Sequence, residues 1–221
     1  MDIITNNFGV FVDGFVGTLV LTFWAAIGSL VLGTVLAALR VAPSLALRAA
    51  ATGYVNTVRN TPLTLVMFFT AFGLPILQIS FGSTAATQFR IYAILALTAY
   101  TSCFVCETVR SGIQTVNVGQ AEAARSLGLT FTQTLRHVVL PQALRTVVAP
   151  LGSVLIALTK NTSIASAFNN QELISAMRGL IENNGNAVLQ VLVATALAYM
   201  VITLPMGYGV GVLERRTALS R

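Results

Sequence analysis

From Phe15 to Leu39 the chain carries no charged side chain, and a helix of that length rises past the ~30 Å of a hydrocarbon core at ~1.5 Å per residue. Arg40 stops the run, and Ala42-Pro43-Ser44 breaks the helix behind it. A run of this kind commits its backbone to a membrane-spanning helix, because lipid offers no partner for an open peptide group. Composition agrees: 55% of the 221 residues are hydrophobic and 9% are charged, too little polar surface to cover a soluble globule. The alternating dyads of an outer-membrane barrel are absent. Asp2 and Asp13 precede the run with no basic residue between them, so it lacks the n-region of a cleaved signal peptide and is expected to insert and stay.

Further segments read the same way. A second span is expected from Tyr54 to Leu77, with Arg59-Asn-Thr-Pro62 in its first turns and a Gly73-Leu-Pro75 stop; the proline removes a backbone donor and predicts a kink. A polar linker, Gln78 to Arg90, leads to a third span from Ile91 to Val109. Thr146 to Thr159 is under the usual crossing length and ends in Lys160-Asn161-Thr162-Ser163, which predicts a broken or shortened helix. The stretch from Ala165 to Asn186 is polar and Asn-rich, and a last span runs from Ala187 to about Val212, where Gly207-x-x-x-Gly211 permits close helix approach. The expectation is an all-α integral membrane protein with about five transmembrane helices, one permease-like domain over residues 1–221.

The net charge of +6 raises nucleic acid as a partner, but the basic residues are scattered beside apolar segments rather than clustered with aromatics, which fits membrane topology and no nucleic acid. With five spans, Arg40, Arg48, Arg110, Arg125, Arg136, Arg145, Arg215, Arg216 and Arg221 fall on one side, and Arg90 and Arg178 on the other. The positive-inside rule then places the N-terminus outside and the C-terminus in the cytoplasm. Cys103 and Cys106 have no second pair or nearby His to complete a metal set, so they are expected as small side chains within a span. His137, the sole histidine, is expected as a solvated or interface side chain.

The polar stretch between the third and fourth spans, residues 110–145, forms a predicted cytoplasmic hairpin. Asn117 with Gln120, and Thr130 with Gln133, are spaced to cap two short helices. Gly128 permits the turn between them, Phe131, Leu135 and Val138 line one face of the second, and Pro141 marks its end. Periodicity alone fits a solvated surface hairpin equally well.

The pattern Glu122-Ala-Ala, Gly128 six residues after Glu122, and Val138-x-Leu140-Pro141 resembles the EAA loop of ATP-binding-cassette (ABC) importer permeases, with Val138 in place of the usual Ile. Arg59-Asn-Thr-Pro-Leu63, Phe72-Gly-Leu-Pro75, Glu107-x-x-Arg110-x-Gly112-Ile113 and Lys160-Asn-Thr-Ser163 extend the likeness to the polar amino-acid branch, from which the chain departs at Asn60 and Asn161. Thr57 to Leu65, Gly119 to Leu129, Ala157 to Thr162 and Thr203 to Gly207 resemble the permeases of actinobacterial glutamate importers. The resemblance implies a type I ABC importer transmembrane domain whose hairpin docks on an ATPase through Gly119, Ala121, Glu122, Ala123, Ala124, Leu127, Gly128, Leu140 and Pro141. It implies as partners ATPase subunits that bind ATP and Mg, a second permease, homologous or identical, an extracytoplasmic amino-acid-binding protein and membrane lipid. The location implied is the bacterial plasma membrane. A stand-alone secondary transporter or channel is the alternative reading.

The sequence has no phosphate loop and no paired acid, nucleophile with base, or metal set, so no catalytic or metal residue is expected and ATP hydrolysis must come from another subunit. Lys160 is the only lysine, and a charge at the end of an apolar half-span costs ~2.5–3.5 kcal/mol on insertion scales. Either it snorkels outward or pairs with Glu107, or, with Asn161, Thr162 and Ser163 at an exposed helix break, it receives a substrate carboxylate. Arg59 and Thr61 flank a proline break; they complete that site, or Arg59 is a cytoplasmic anchor. Glu107 binds a substrate ammonium or holds Arg110, which the i,i+3 spacing favours.

Overall fold

The computed structural model describes residues 2–217, and every regular element among them is helical. We number the principal helices α1 (Phe8–Arg40), α2 (Leu45–Arg59), α3 (Leu63–Ile76), α4 (Ala85–Gln114), α5 (Val118–Ser126), α6 (Phe131–Phe168), α7 (Leu173–Asn183) and α8 (Val188–Thr217). By length and composition α1, α4, α6 and α8 can cross a membrane, and α3 is a shorter apolar helix. Arg221 lies outside the described residues.

Helices α1 and α4 form the spine. They run parallel in close contact, Gly28 against Thr98 and Gly33 against Val105, where a Cβ on Gly33 would fall 2.5 Å from that of Val105. Helix α6 returns antiparallel, with Gly112 against Val147, and α8 packs on α6, Val210 seated at Gly152. The central core joins Leu21, Ala25, Met67, Leu97, Leu158 and Phe168; a second cluster near Arg40 joins Leu36, Ala37, Val55, Cys103 and Cys106. Both cysteines are free and buried.

The second span is two helices rather than the single one expected from Tyr54 to Leu77. Pro62 supplies no N–H and disfavours helix at Thr61, so α2 ends at Arg59 and α3 begins at Leu63. Asn60 and Thr61 turn their side chains back to the carbonyls of Asn56 and Thr57. Pro141 does not end the hairpin helix. A π-helical turn at Leu135–Val139 precedes it, which takes up the missing donor and the ring's clash with the preceding turn, and the helix continues to Asn161. The shortened span expected over Thr146–Thr159 is therefore the middle of one element that starts in the hairpin. Pro75 follows a π-turn at Phe69–Gly73 in the same way.

The polar stretch from Ala165 to Asn186 contains an amphipathic helix, α7, with Leu173, Ala176 and Leu180 buried. Among the described residues Gly207 and Gly211 make no close helix contact: a Cβ at Gly207 would reach Ile156 Cδ1 only at 4.0 Å, and at Gly211 nothing lies within 4 Å.

Candidate functional site

At one end of the bundle α5 and the start of α6 form the hairpin. Asn117 caps α5 by accepting from the Gly119 amide at 2.8 Å, not through Gln120. Thr130 and Gln133 form the expected reciprocal capping box. Gly128 takes φ +86, a region that side chains rarely enter, and its N–H closes the turn on the Arg125 carbonyl at 2.9 Å. Gln142 on α6 hydrogen-bonds Gln120 on α5, fixing the hairpin to the transmembrane body. Of the coupling residues read from sequence, Ala124 is buried inside the hairpin, Ala121 and Leu140 are half-buried, and Gly119, Glu122, Ala123, Leu127, Gly128 and Pro141 are exposed. Val118, Leu127 and Phe131 expose apolar surface there, Leu127 at 82%, a surface of the kind that marks a protein contact.

A short distance into the bundle, one carboxylate gathers three guanidiniums. Glu107 Oε1 pairs with Arg40 and stands 3.7 Å from Arg59 Nη1, while Oε2 accepts from Arg110 Nη2 at 2.8 Å. Arg110 also donates to Gln114 Oε1 at 3.2 Å. Glu107 thus holds Arg110 as the spacing foresaw, and pairs with Arg40 and Arg59 instead of Lys160. Arg40 is the member that sequence reasoning left out; its place at the end of α1, parallel to α4, brings it to Glu107.

Lys160 is exposed at the last turn of the α-helical body of α6 and forms no ion pair among the described residues. Beyond it the helix tightens to a 3-10 form from Thr162 to Phe168. Asn161 lines a cavity between α4 and α6 with Tyr100, Thr101, Phe104 and Ser153. Thr162 is turned inward, fully buried, and donates to the Thr159 carbonyl at 2.7 Å; Ser163 is half-buried. Thr61 donates to Thr57 within its own helix end. The structure thus forms two groups: Lys160 to Ser163 at the break, and Arg59 with Glu107 nearer the hairpin.

Glu172 went unnoticed in the sequence. It is fully buried, caps α7 by accepting from the Ser175 amide at 2.7 Å, and accepts from the Tyr199 hydroxyl of α8 at 3.1 Å. Next to it the Leu173 amide donates to Thr18 of α1 at 3.2 Å, and a Cβ on Gly17 would fall 2.0 Å from the Gln171 carbonyl oxygen, so only glycine admits the loop here. Burial pushes the Glu172 carboxyl above its ordinary range, against the pull of the amides at Ile174 and Ser175 and of the Tyr199 hydroxyl. The available signal was the spacing Leu173, Met177, Leu180, Ile181, an apolar stripe at helical period.

Comparison with known proteins covers nearly the whole chain. The family described as "binding-protein-dependent transport system inner membrane component" matches residues 29–219. The glutamate transport system permease protein GluC of Corynebacterium efficiens is 48% identical over 92% of both chains, and the probable glutamine ABC transporter permease protein GlnM of Bacillus subtilis is 39% identical over 98% of this chain and 97% of its own. Among solved structures, an amino acid ABC transporter crystallised with histidines superposes with a TM-score of 0.87 at 27% identity, covering 96% of each chain.

Proposed function

The chain belongs to the binding-protein-dependent transport system inner membrane components, and from that premise we propose that it imports glutamate or a closely related polar amino acid as one permease of an ABC importer. An ATPase bound at the hairpin would supply the energy, a second permease would complete the pathway, and a binding protein would deliver substrate at the opposite end. The hairpin end faces the cytoplasm in this reading and the N-terminus faces outward, as the arginine distribution requires.

One observation carries the substrate side: an exposed ammonium, Lys160, without an ion partner among the described residues, where α6 changes its helical form deep in the chain. A charge so placed in an apolar bundle is stabilised by an anion that replaces its water, and a substrate carboxylate is such an anion. Asn161 and Ser163 add neutral polar groups beside it; Thr162 holds the break in shape; Thr61 and Arg59 lie farther toward the hairpin. That the relatives are named for glutamate and glutamine supports an amino acid with a polar side chain.

Reconstitution with the ATPase, second permease and binding protein tests this. ATP-driven uptake of radiolabelled glutamate should be competed by related polar amino acids and not by basic ones. Lys160→Met keeps the apolar stem and deletes the charge; loss of one charge-assisted hydrogen bond, roughly 1.5–3 kcal/mol, should weaken apparent affinity by one to two decades at equal membrane abundance. Uptake driven by an ion gradient without ATP would overturn the importer reading, and an unchanged concentration dependence in Lys160→Met would remove the lysine from the site.

A further inference from the structure

The cluster around Glu107 is out of electrical balance. One carboxylate is shared by Arg40, Arg59 and Arg110, and every ion pair these arginines make among the described residues ends on it. Two positive charges remain over; Arg59 and Arg110 are partly exposed, so water meets part of this surplus and leaves their guanidiniums accessible to an anion. Both Glu107 oxygens are already engaged, so an anion arriving here would meet guanidinium donors that Glu107 does not saturate. Beside the cluster lies a cavity of about 510 Å³ between α4 and α6, lined by Glu107, Arg110, Ser111, Thr115 and Thr146. Ligand pockets start at roughly 300 Å³, so an amino acid fits. Arg110 presents a planar fork suited to a carboxylate; the Thr115 and Thr146 hydroxyls, 3.3 Å apart, donate to the Gly112 and Ala143 carbonyls of their own helices, which leaves Arg110 as the donor to a ligand oxyanion.

The cavity at Asn161 and the cavity at Arg110 lie along the same pair of helices, α4 and α6. From Asn161 down to Val147 the helix descends about 20 Å, which places the Arg110 cavity nearer the hairpin than the Asn161 cavity. We propose that the Arg110 cavity is a release subsite for the substrate's carboxylate, occupied after the substrate leaves the Lys160 break and before it enters the cytoplasm. This rests on the import of a carboxylate-bearing amino acid proposed above. The shared chemistry is that of an oxyanion, for which an anionic lipid headgroup is the competing source.

A subsite open to the hairpin side binds product from that side. In proteoliposomes carrying the complete complex, L-glutamate enclosed with the hairpin side should inhibit ATP-driven uptake, and enclosed glutamine, lacking the second carboxylate, should inhibit less. Arg110→Gln should weaken inhibition by enclosed glutamate about tenfold or more. Arg110→Lys, which keeps the charge and tests against simple misfolding, should retain most of it. Each comparison is repeated in vesicles of zwitterionic lipid alone and in vesicles containing anionic lipid. Equal inhibition of wild type and Arg110→Gln, or none in the wild type, overturns the subsite while leaving the importer reading intact. Inhibition sensitive to Arg110 only in anionic vesicles assigns the cavity to lipid and overturns it as well. A wild-type complex that accumulates no acidic amino acid defeats the substrate reading and this subsite with it.

Discussion

Two carboxylates hold opposite ends of this bundle by opposite means. Glu107, toward the hairpin, is surrounded by three guanidiniums; Glu172, toward the other end, meets neutral donors, the Ser175 amide and the Tyr199 hydroxyl, and is fully buried. The first arrangement binds α1, α2 and α4 with surplus positive charge. The second ties the N-terminus of α7 to α8 with no direct ion pair among the described residues, Arg178 acting on it only at longer range. Surplus cation makes a place for a transient anion, whereas neutral donors make a joint whose strength follows the proton. The first arrangement suits the release subsite proposed above, and the second suits a fixed joint between helices.

Removing each carboxylate should break this comparison at its strongest point. Glu107→Leu strands three guanidiniums; breaking a buried pair in this way costs about 3–5 kcal/mol, and partial exposure of Arg59 and Arg110 places the result at the lower bound. Folded protein in membranes, followed by size-exclusion profile and thermal stability, should fall sharply. Stability near wild type would mean that the guanidiniums repel one another little.

Glu172→Ala should cost about 2 kcal/mol, combining a lost helix cap of ~0.5–2 kcal/mol with an unsatisfied hydroxyl on Tyr199. Hydrogen exchange should locate the loosening in α7 and the facing part of α8; a uniform loss across the protein would refute a local joint. Tyr199→Phe should cost less, about 1 kcal/mol, since one neutral donor disappears. In the double variant the two losses should fall short of additive, because they share one hydrogen bond.

The smallest effect concerns pH. Burial raises the Glu172 pKa in the folded protein, so the folded state binds this proton more tightly than the unfolded one. Its contribution is fully present below the ordinary glutamate value and is lost as pH rises through the folded-state value. Thermal stability of wild type relative to Glu172→Gln should therefore be most favourable in acid and decline toward neutrality. A gap that widens as pH rises would reverse the assignment.

Much of this architecture was legible in residues. The charge-free run ending at Arg40, the capping box at Thr130 and the glycine turn at Gly128 each follow from a local requirement: lipid tolerates no open backbone, a helix start needs its amides capped, and a left-handed turn tolerates little but glycine. What failed was the reading of prolines and of one polar stretch. Pro62 divides a span that was expected whole, whereas Pro141 sits inside a helix it was expected to end. The difference lies in the neighbouring turns, since a π-turn before Pro141 absorbs the missing donor and the Asn60–Thr61 side chains close the helix before Pro62. Local sequence does not announce which repair the chain will use.

By itself, then, the sequence determined that the chain spans a membrane several times and carries a polar hairpin, because hydropathy, capping and turn chemistry act between near neighbours. Tertiary structure alone decided which charges meet. Arg40 reaches Glu107 because α1 and α4 run parallel, and Glu172 is buried because Gly17 lets the loop before α7 settle on α1. Such pairings join residues far apart along the chain, and helix period does not encode them; they exist only once the helices have packed.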